Sequence, residues 1–275
     1  MKKLNLTALA FSLVIPCAFA QTYTGEQVML LNEGSRKSLT ETNDVFITMT
    51  DAQGNTRERT LKLRIDDGDK AARKSYLEFV APKDVKGTRV LALEKSDAQE
   101  DPDRWIYLPA LRKVRRIAGA DQTQSFVGTD FTYEDMSISD GIVGVKNHSY
   151  KILREERLKD NSGVERHCWV VEAIPSSKKQ IEQGLYGKRI IWVEQQYYTA
   201  IQEHYFNKSD QLFKIRTSSD IRPFPAAGGT TKWRPNLFSM KNLETGHSTH
   251  VRFEQVLDQP IDAKIFTRRF MEIGL

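Results

Sequence analysis

Along the chain, apolar residues follow two periods in succession. Between Thr24 and Leu39 they recur at helical spacing, with Val28, Leu30 and Leu31 ahead of a polar end. Thr24 before Gly25-Glu26-Gln27 reads as a capping box for that helix. From Asn43 onward the period is two. Val45, Ile47 and Met49 alternate with Phe46, Thr48 and Thr50; after the turn Asp51–Asn55, Leu61, Leu63 and Ile65 alternate with polar neighbours. This predicts a hairpin with one apolar face. The same alternation predicts strands at 74–80, 88–94, 103–108, 112–117, 147–158, 165–173, 188–194, 197–206, 211–219, 232–241 and 248–256. Thirteen strands with almost no helix between them predict an antiparallel meander in a single domain, 21–275. Two stretches interrupt the rhythm: 118–141, rich in Gly, Asp and aromatic residues, and a loop at 223–229. A tail from Pro260 to Met271 starts like a helix and is expected to close one sheet edge.

Several strands are apolar on both faces. In 103–108, Trp105 and Tyr107 oppose Ile106 and Leu108; in 188–194, Ile190 and Trp192 oppose Ile191 and Val193. Two or three helices are too few to cover both faces of thirteen strands. A strongly curved sheet or incomplete barrel, lined inside by apolar side chains, fits better. Alternation selects Val45, Ile47, Met49, Leu61, Leu63, Phe79, Leu91, Trp105, Tyr107, Trp169 and Trp192 as the inward set. A one-residue slip would invert any strand. A filled core and a cavity that takes a hydrophobic ligand both satisfy this pattern.

The first twenty residues are an address. Lys2 and Lys3 precede the mostly apolar run Ala8–Ile15, and Ala18-Phe19-Ala20 is a small-x-small cleavage pattern. A signal peptide cut between Ala20 and Gln21 is expected, hence a soluble exported protein. Acylation at Cys17 is the rival, but Val14-Ile15-Pro16 is a poor lipobox. Cleavage would remove two lysines, taking the net charge of the 275-residue chain from +5 to +3 and leaving Cys168 as the one cysteine. That small, dispersed excess does not point to nucleic acid. A lone cysteine excludes an internal disulfide, and in Cys168-Trp169-Val170-Val171 it reads as a buried, inert thiol. Hydrophobic residues at 39% are sufficient for a core.

Chemistry is sparse. The histidines at 148, 167, 204, 247 and 250 are scattered, and there is no nucleophile elbow, His-Glu-x-x-His helix or phosphate-binding glycine loop. No catalytic residue, metal or cofactor is expected. The acidic trio Asp130, Glu134 and Asp135 does not follow a calcium loop. Arg112, Lys113, Arg115 and Arg116 lie just upstream. Ion pairing between this strip and the acidic loop is the ordinary reading; contact with lipid headgroups or an acidic partner is the sharper one.

One long segment, Asp103-Arg104-Trp105-Ile106-Tyr107-Leu108-Pro109-Ala110-Leu111-Arg112-Lys113-Val114-Arg115-Arg116-Ile117, is followed by Ser125-Phe126-Val127-Gly128-Thr129-Asp130-Phe131-Thr132-Tyr133-Glu134-Asp135-Met136. Together with the turn Phe79-Val80-Ala81-Pro82-Lys83-Asp84-Val85-Lys86-Gly87-Thr88, with Thr245-Gly246-His247 and with Ile265-Phe266-Thr267, it resembles the LolA/LolB-like family of outer-membrane lipoprotein-sorting proteins. The resemblance spans 24–273. It implies a mainly β (α+β) fold: a curved antiparallel half-barrel with a few helices as lid over a hydrophobic cavity. It also implies a monomeric periplasmic carrier of lipid or acylated cargo, with transient membrane contact. An inner-membrane transporter of the resistance-nodulation-division (RND) type is the implied hand-over partner. The alternative is a periplasmic sensor or transporter accessory subunit using the same fold. Arg112, Arg115, Arg116, Asp130, Tyr133, Glu134 and Asp135 are then candidates for headgroup or partner contact. The stretch Pro223–Gly229 is longer than the family pattern.

Overall fold

The computed structural model describes residues 23–36, 40–67, 73–95, 102–135, 145–226, 229–257 and 261–274. The expected leader, 1–20, and its cleavage site lie outside them. The first helix, α1, is Gly25–Arg36. Its capping box is present: Gln27 N donates to Thr24 Oγ1 at 3.2 Å, and Thr24 N donates to Gln27 Oε1 at 2.8 Å. Among the described residues no helix is long and apolar enough to cross a membrane.

The strands are β1 (Thr40–Thr50), β2 (Thr56–Asp66), β3 (Lys74–Ala81), β4 (Arg89–Leu93), β5 (Asp103–Leu108) and β6 (Lys113–Ile117). After the break come β7 (His148–Lys159), β8 (Glu165–Pro175), β9 (Lys188–Glu194), β10 (Ala200–Phe206), β11 (Leu212–Ala226), β12 (Thr230–Asn242) and β13 (Ser248–Leu257). They form one antiparallel sheet in the order β6-β5-β4-β3-β2-β1-β13-β12-β11-β10-β9-β8-β7. Only β1 against β13 joins strands distant in sequence, in register from Glu41↔Leu257 to Thr50↔Ser248. The edges β6 and β7 do not pair, so the sheet stays open. It nevertheless rolls strongly: Asn161, in the β7–β8 turn, donates to Thr217 Oγ1 on β11 at 2.7 Å, three strands away from β8.

The loop expected at 223–229 is largely strand. Pro223 opposes Trp233 and Pro225 opposes Thr231 within a long β11–β12 hairpin. Pairing of β10 to β11 stops at Thr217, so this end of β11 has a neighbour on one side only. Proline is tolerated there because no second ladder needs its missing N–H.

Following the register across the sheet defines an inner face with two apolar clusters. The first, from β1–β5 with β12 and β13, includes Val45, Ile47, Met49, Leu61, Leu63, Leu77, Phe79, Val90 and Ile106, and is covered by Phe126, Phe131 and Tyr133 of the long loop. The second, from β8–β10, includes Trp169, Val171, Ile191 and Val193 and is covered by Val28 and Met29 of α1. Each cover buries side chains worth about 1.5–3 kcal/mol apiece against exposure.

Four of the expected inward residues face outward. Leu91 opposes Trp105 in the register and is buried with Tyr76, Phe266 and Met271; Trp105 and Tyr107 pack on the same outer cluster. Trp192 joins Cys168, Val170 and Ile201 on the outer side of β8–β10. Val90, Ile106 and Ile191 take the inner positions instead. The tail explains the inversion. It lays a short turn, Ala263–Phe266, and a helix, Phe270–Ile273, over the outer face of β3–β5 as far as Val114 of the edge strand β6. Arg89 Nη1 donates to the Met271 carbonyl at 2.8 Å and fixes it there. Cys168 is fully buried, and burial, then the Glu194 carboxylate, push its thiol up to about 12, the condition of an unreactive thiol.

His148, at the start of β7, has a buried Nδ1 without a hydrogen-bond partner. Burial, and then the Arg189 cation, hold its pKa near 3 against an ordinary 6.5. Between those values the unfolded chain binds a proton that the folded chain does not. Its contribution to stability is therefore complete above pH 6.5 and is lost as pH falls toward 3. Chemical denaturation of the His148→Phe variant across pH 4–7 is expected to show a shallower acid-side loss than the parent.

Candidate functional site

Between the inner face of β1–β5 and the long loop lies a cavity of about 110 Å³. Val45, Ile47, Leu61 and Leu63 line it from β1 and β2, Leu77 and Val90 from β3 and β4, and Phe238, Val251 and Phe253 from β12 and β13. Phe126, Phe131 and Tyr133 form its roof, with Phe126 and Tyr133 edge-to-face at 5.5 Å. One polar end carries Ser75, Glu94 and the buried Arg104, whose Nη1 donates to Gln122 Oε1 at 3.1 Å. A wider groove of about 610 Å³ lies elsewhere, between α1 and the stacked pair Tyr197–Trp233.

The roof is held by polar contacts at defined points. Ser125 and Thr132 form an isolated antiparallel bridge, and Phe126 N donates to the Phe131 carbonyl at 2.7 Å. Thr132 and Asp135 cap each other: Thr132 N to Asp135 Oδ2 at 2.8 Å, and Asp135 N to Thr132 Oγ1 at 3.0 Å. Asp130 N donates to Thr249 Oγ1 at 2.9 Å, and that hydroxyl donates to Asp130 Oδ2 at 2.7 Å. Arg59 donates to the Val127 carbonyl, and Lys214 Nζ to the Asp130 carbonyl at 2.8 Å.

Beyond the roof, the inner face turns polar where the two apolar clusters meet. Register places Lys214 and Arg216 of β11, Glu203 and Tyr205 of β10, and Arg189 of β9 side by side. The four charged side chains are all at least 94% buried. Glu203 accepts from Arg216 and, at 2.8 Å, from the Tyr205 hydroxyl, with Arg189 Nη1 at 3.6 Å. Asp135 accepts from the Tyr186 hydroxyl at 2.5 Å and faces Lys214 Nζ at 3.7 Å. Burial, then the Asp135 carboxylate, keep the Tyr186 hydroxyl protonated and donating. Glu134 accepts from Leu185 N at 3.0 Å, and burial raises its pKa.

The structure separates the sequence-predicted residues. Val45, Ile47, Leu61 and Leu63 reach the cavity wall; Met49 and Phe79 lie in the same cluster, and Trp169 lies under α1. Leu91, Trp105, Tyr107 and Trp192 are on the outer side. Among the described residues the basic strip meets the loop at Asp121 and not at the acidic trio. Arg116 pairs with Asp103 at 2.7 Å and Arg115 with Asp121 at 3.8 Å, while Arg112 is exposed. Asp130, Glu134 and Asp135 turn inward to Thr249, Leu185 and Lys214, and Tyr133 joins the roof. Among the described residues no cluster of three His, Cys, Asp or Glu could hold a metal.

A sequence-family profile described as "Uncharacterized protein" matches residues 71–273, most of the chain. The chain belongs to this family. Solved structures extend the likeness to the fold of the whole sheet. An outer membrane lipoprotein-sorting protein domain from Vibrio parahaemolyticus superposes with a TM-score of 0.77 at 22% identity, covering 90% of this chain and 98% of that one. A DUF1329 family protein from Desulfovibrio piger gives 0.76 at 23% identity, covering 90% and 97%. A LolA superfamily protein from Nitrosomonas europaea gives 0.65 at 16%, covering 90% and 100%. No curated protein matches the sequence. The family member described here thus has the LolA-type architecture, a mostly β open sheet with short helices.

The buried pair under the roof tests how the loop is held. Asp135→Asn strips Lys214 of its carboxylate and removes one acceptor of the cap. Urea denaturation is expected to show a loss of about 3 kcal/mol, as for other buried pairs left with one partner. Amide exchange at Phe126 and Thr132 is expected to accelerate more than exchange in β8 and β9.

Proposed function

We propose that this protein is a periplasmic carrier that shields the acyl chain of a lipid or of lipidated cargo beneath the Phe126–Tyr133 roof. The observation that carries this reading is the apolar cavity between an open sheet face and a loop held by a few polar contacts. Removing an acyl chain from water is favourable by about 0.8 kcal/mol per CH₂, so a sixteen-carbon chain gains roughly 12 kcal/mol before ordering costs. No polar anchor is then strictly needed for binding. A cavity of about 150 Å³ holds one benzene ring, so the present 110 Å³ is too small for a sixteen-carbon chain. Loading requires the roof to lift, and release requires it to lift again.

Val45, Ile47, Leu61 and Leu63 are the proposed chain-contacting residues, together with Leu77, Phe238 and Val251, which the sequence pattern did not select. The exposed cations Arg112, Arg115 and Arg116 on the β5–β6 hairpin, at one sheet edge, are the proposed contact for anionic headgroups or a partner. An inner-membrane RND-type transporter is the proposed hand-over partner, with the carrier acting as a monomer after leader removal. The likeness to a lipoprotein-sorting domain and a LolA superfamily protein supports a carrier over an enzyme.

Native mass spectrometry of protein purified from periplasm is expected to show stoichiometric copurifying lipid, and the delipidated protein should take up a fluorescent fatty acid. Val251→Trp, which fills the cavity from a half-buried wall position, should weaken that uptake about tenfold or more at unchanged fold. No uptake by the parent protein, with a transporter recovered in pull-downs free of lipid, would instead identify an accessory subunit.

A further inference from the structure

The polar seam on the inner face is not balanced internally. Among the described residues Arg189 and Arg216 share the carboxylate of Glu203 as their ion-pair partner, while Glu134 and Asp135 act on them from farther away. Arg189 Nη2 and Arg216 Nε and Nη1 are buried donors with no hydrogen-bond partner among the described residues. Three unsatisfied guanidinium donors on two side chains 97% buried are costly unless an acceptor reaches them during function. The third cation, Lys214, is neutralised from the roof itself, by Asp135 and by the Asp130 carbonyl. Lifting the roof therefore exposes the apolar slot and, in the same movement, leaves Arg189, Arg216 and Lys214 facing Glu203 alone. The two regions are adjacent, because the Arg216 guanidinium lies 5.5 Å from the ring centroid of Phe238, a wall of the slot.

We propose that the carried lipid has an acidic headgroup, a carboxylate or phosphate monoester, which replaces Asp135 and accepts hydrogen bonds from Arg216 and Arg189 while its chain occupies the slot. This rests on the carrier reading and adds the ligand's chemical class to it. Arginine suits the role because its planar fork meets a two-oxygen acid with two parallel bonds. The exchange of one carboxylate for another explains why an ion pair is placed under the roof at all: it keeps the empty seam from standing uncompensated.

The probes are palmitate, hexadecanol, methyl palmitate and inorganic phosphate, titrated onto delipidated full-length mature protein below the lipids' aggregation concentration. Palmitate is expected to bind roughly tenfold to hundredfold more tightly than hexadecanol or the ester, the range for charge-assisted hydrogen bonds. Arg216→Met should erase that preference while leaving hexadecanol affinity unchanged, and Arg216→Lys should restore part of it. If Arg216→Met does not fold, the acid-to-alcohol ratio in the parent protein decides by itself. Equal affinity for acid, alcohol and ester overturns this inference and leaves the carrier standing. No binding of any chain overturns both. Inorganic phosphate binding as tightly as palmitate would overturn the acyl assignment and identify a free anion as the seam's ligand.

Discussion

An antiparallel sheet that does not close leaves two faces to be buried, and thirteen strands make both large. The rest of this structure follows from how that constraint is met. Closing the barrel would have paired β6 with β7 and removed the edges. Instead the sheet recruits three separate covers. The roof loop lies on the inner face of β1–β5, α1 on the inner face of β8–β9, and the C-terminal tail on the outer face of β3–β5. A face covered by a loop rather than by a second sheet is held at points and not by a continuous ladder.

The seam between the two inner clusters is where this division has its consequence. Lys214, Arg216, Arg189 and Glu203 are buried there, with Asp135 of the roof facing Lys214 and the Tyr186 hydroxyl donating to Asp135. Buried ion pairs contribute little net stability, since desolvation offsets most of the attraction. They do set geometry. Asp135 is held by Thr132 and Tyr186 while it faces Lys214, so the roof has one seating on the sheet rather than many. Apolar slot, polar seam and roof are thereby joined at Asp135.

Much of this was legible in the chain. The period-two runs placed thirteen strands and the Thr24–Gln27 box placed α1; the cavity's cover was expected from helices, but it is the loop carrying Phe126 and Tyr133, the latter read as a surface contact. What alternation could not supply was the phase of strands apolar on both sides. Alternation fits Trp105 and Tyr107 inside as well as Ile106 and Leu108, and the tail, distant in sequence, covers the Trp105 side of the sheet. Pro223 and Pro225 read as loop because one sequence does not reveal that β10 stops short of them. The buried cations were hidden for a similar reason. Lys214 and Arg216 alternate with Phe213 and Ile215 in a pattern that normally means solvent on the charged side.

The sequence by itself therefore determined the architecture: strand number, antiparallel order, the capped first helix and the family. These depend on local periodicity and short-range turns, which neighbouring residues encode completely. Only the tertiary structure decided which face of each strand is inner, where the cavity lies, and that four charges sit out of water beside the roof. Burial is a property of what covers a residue, and here each cover comes from a segment far away in the chain.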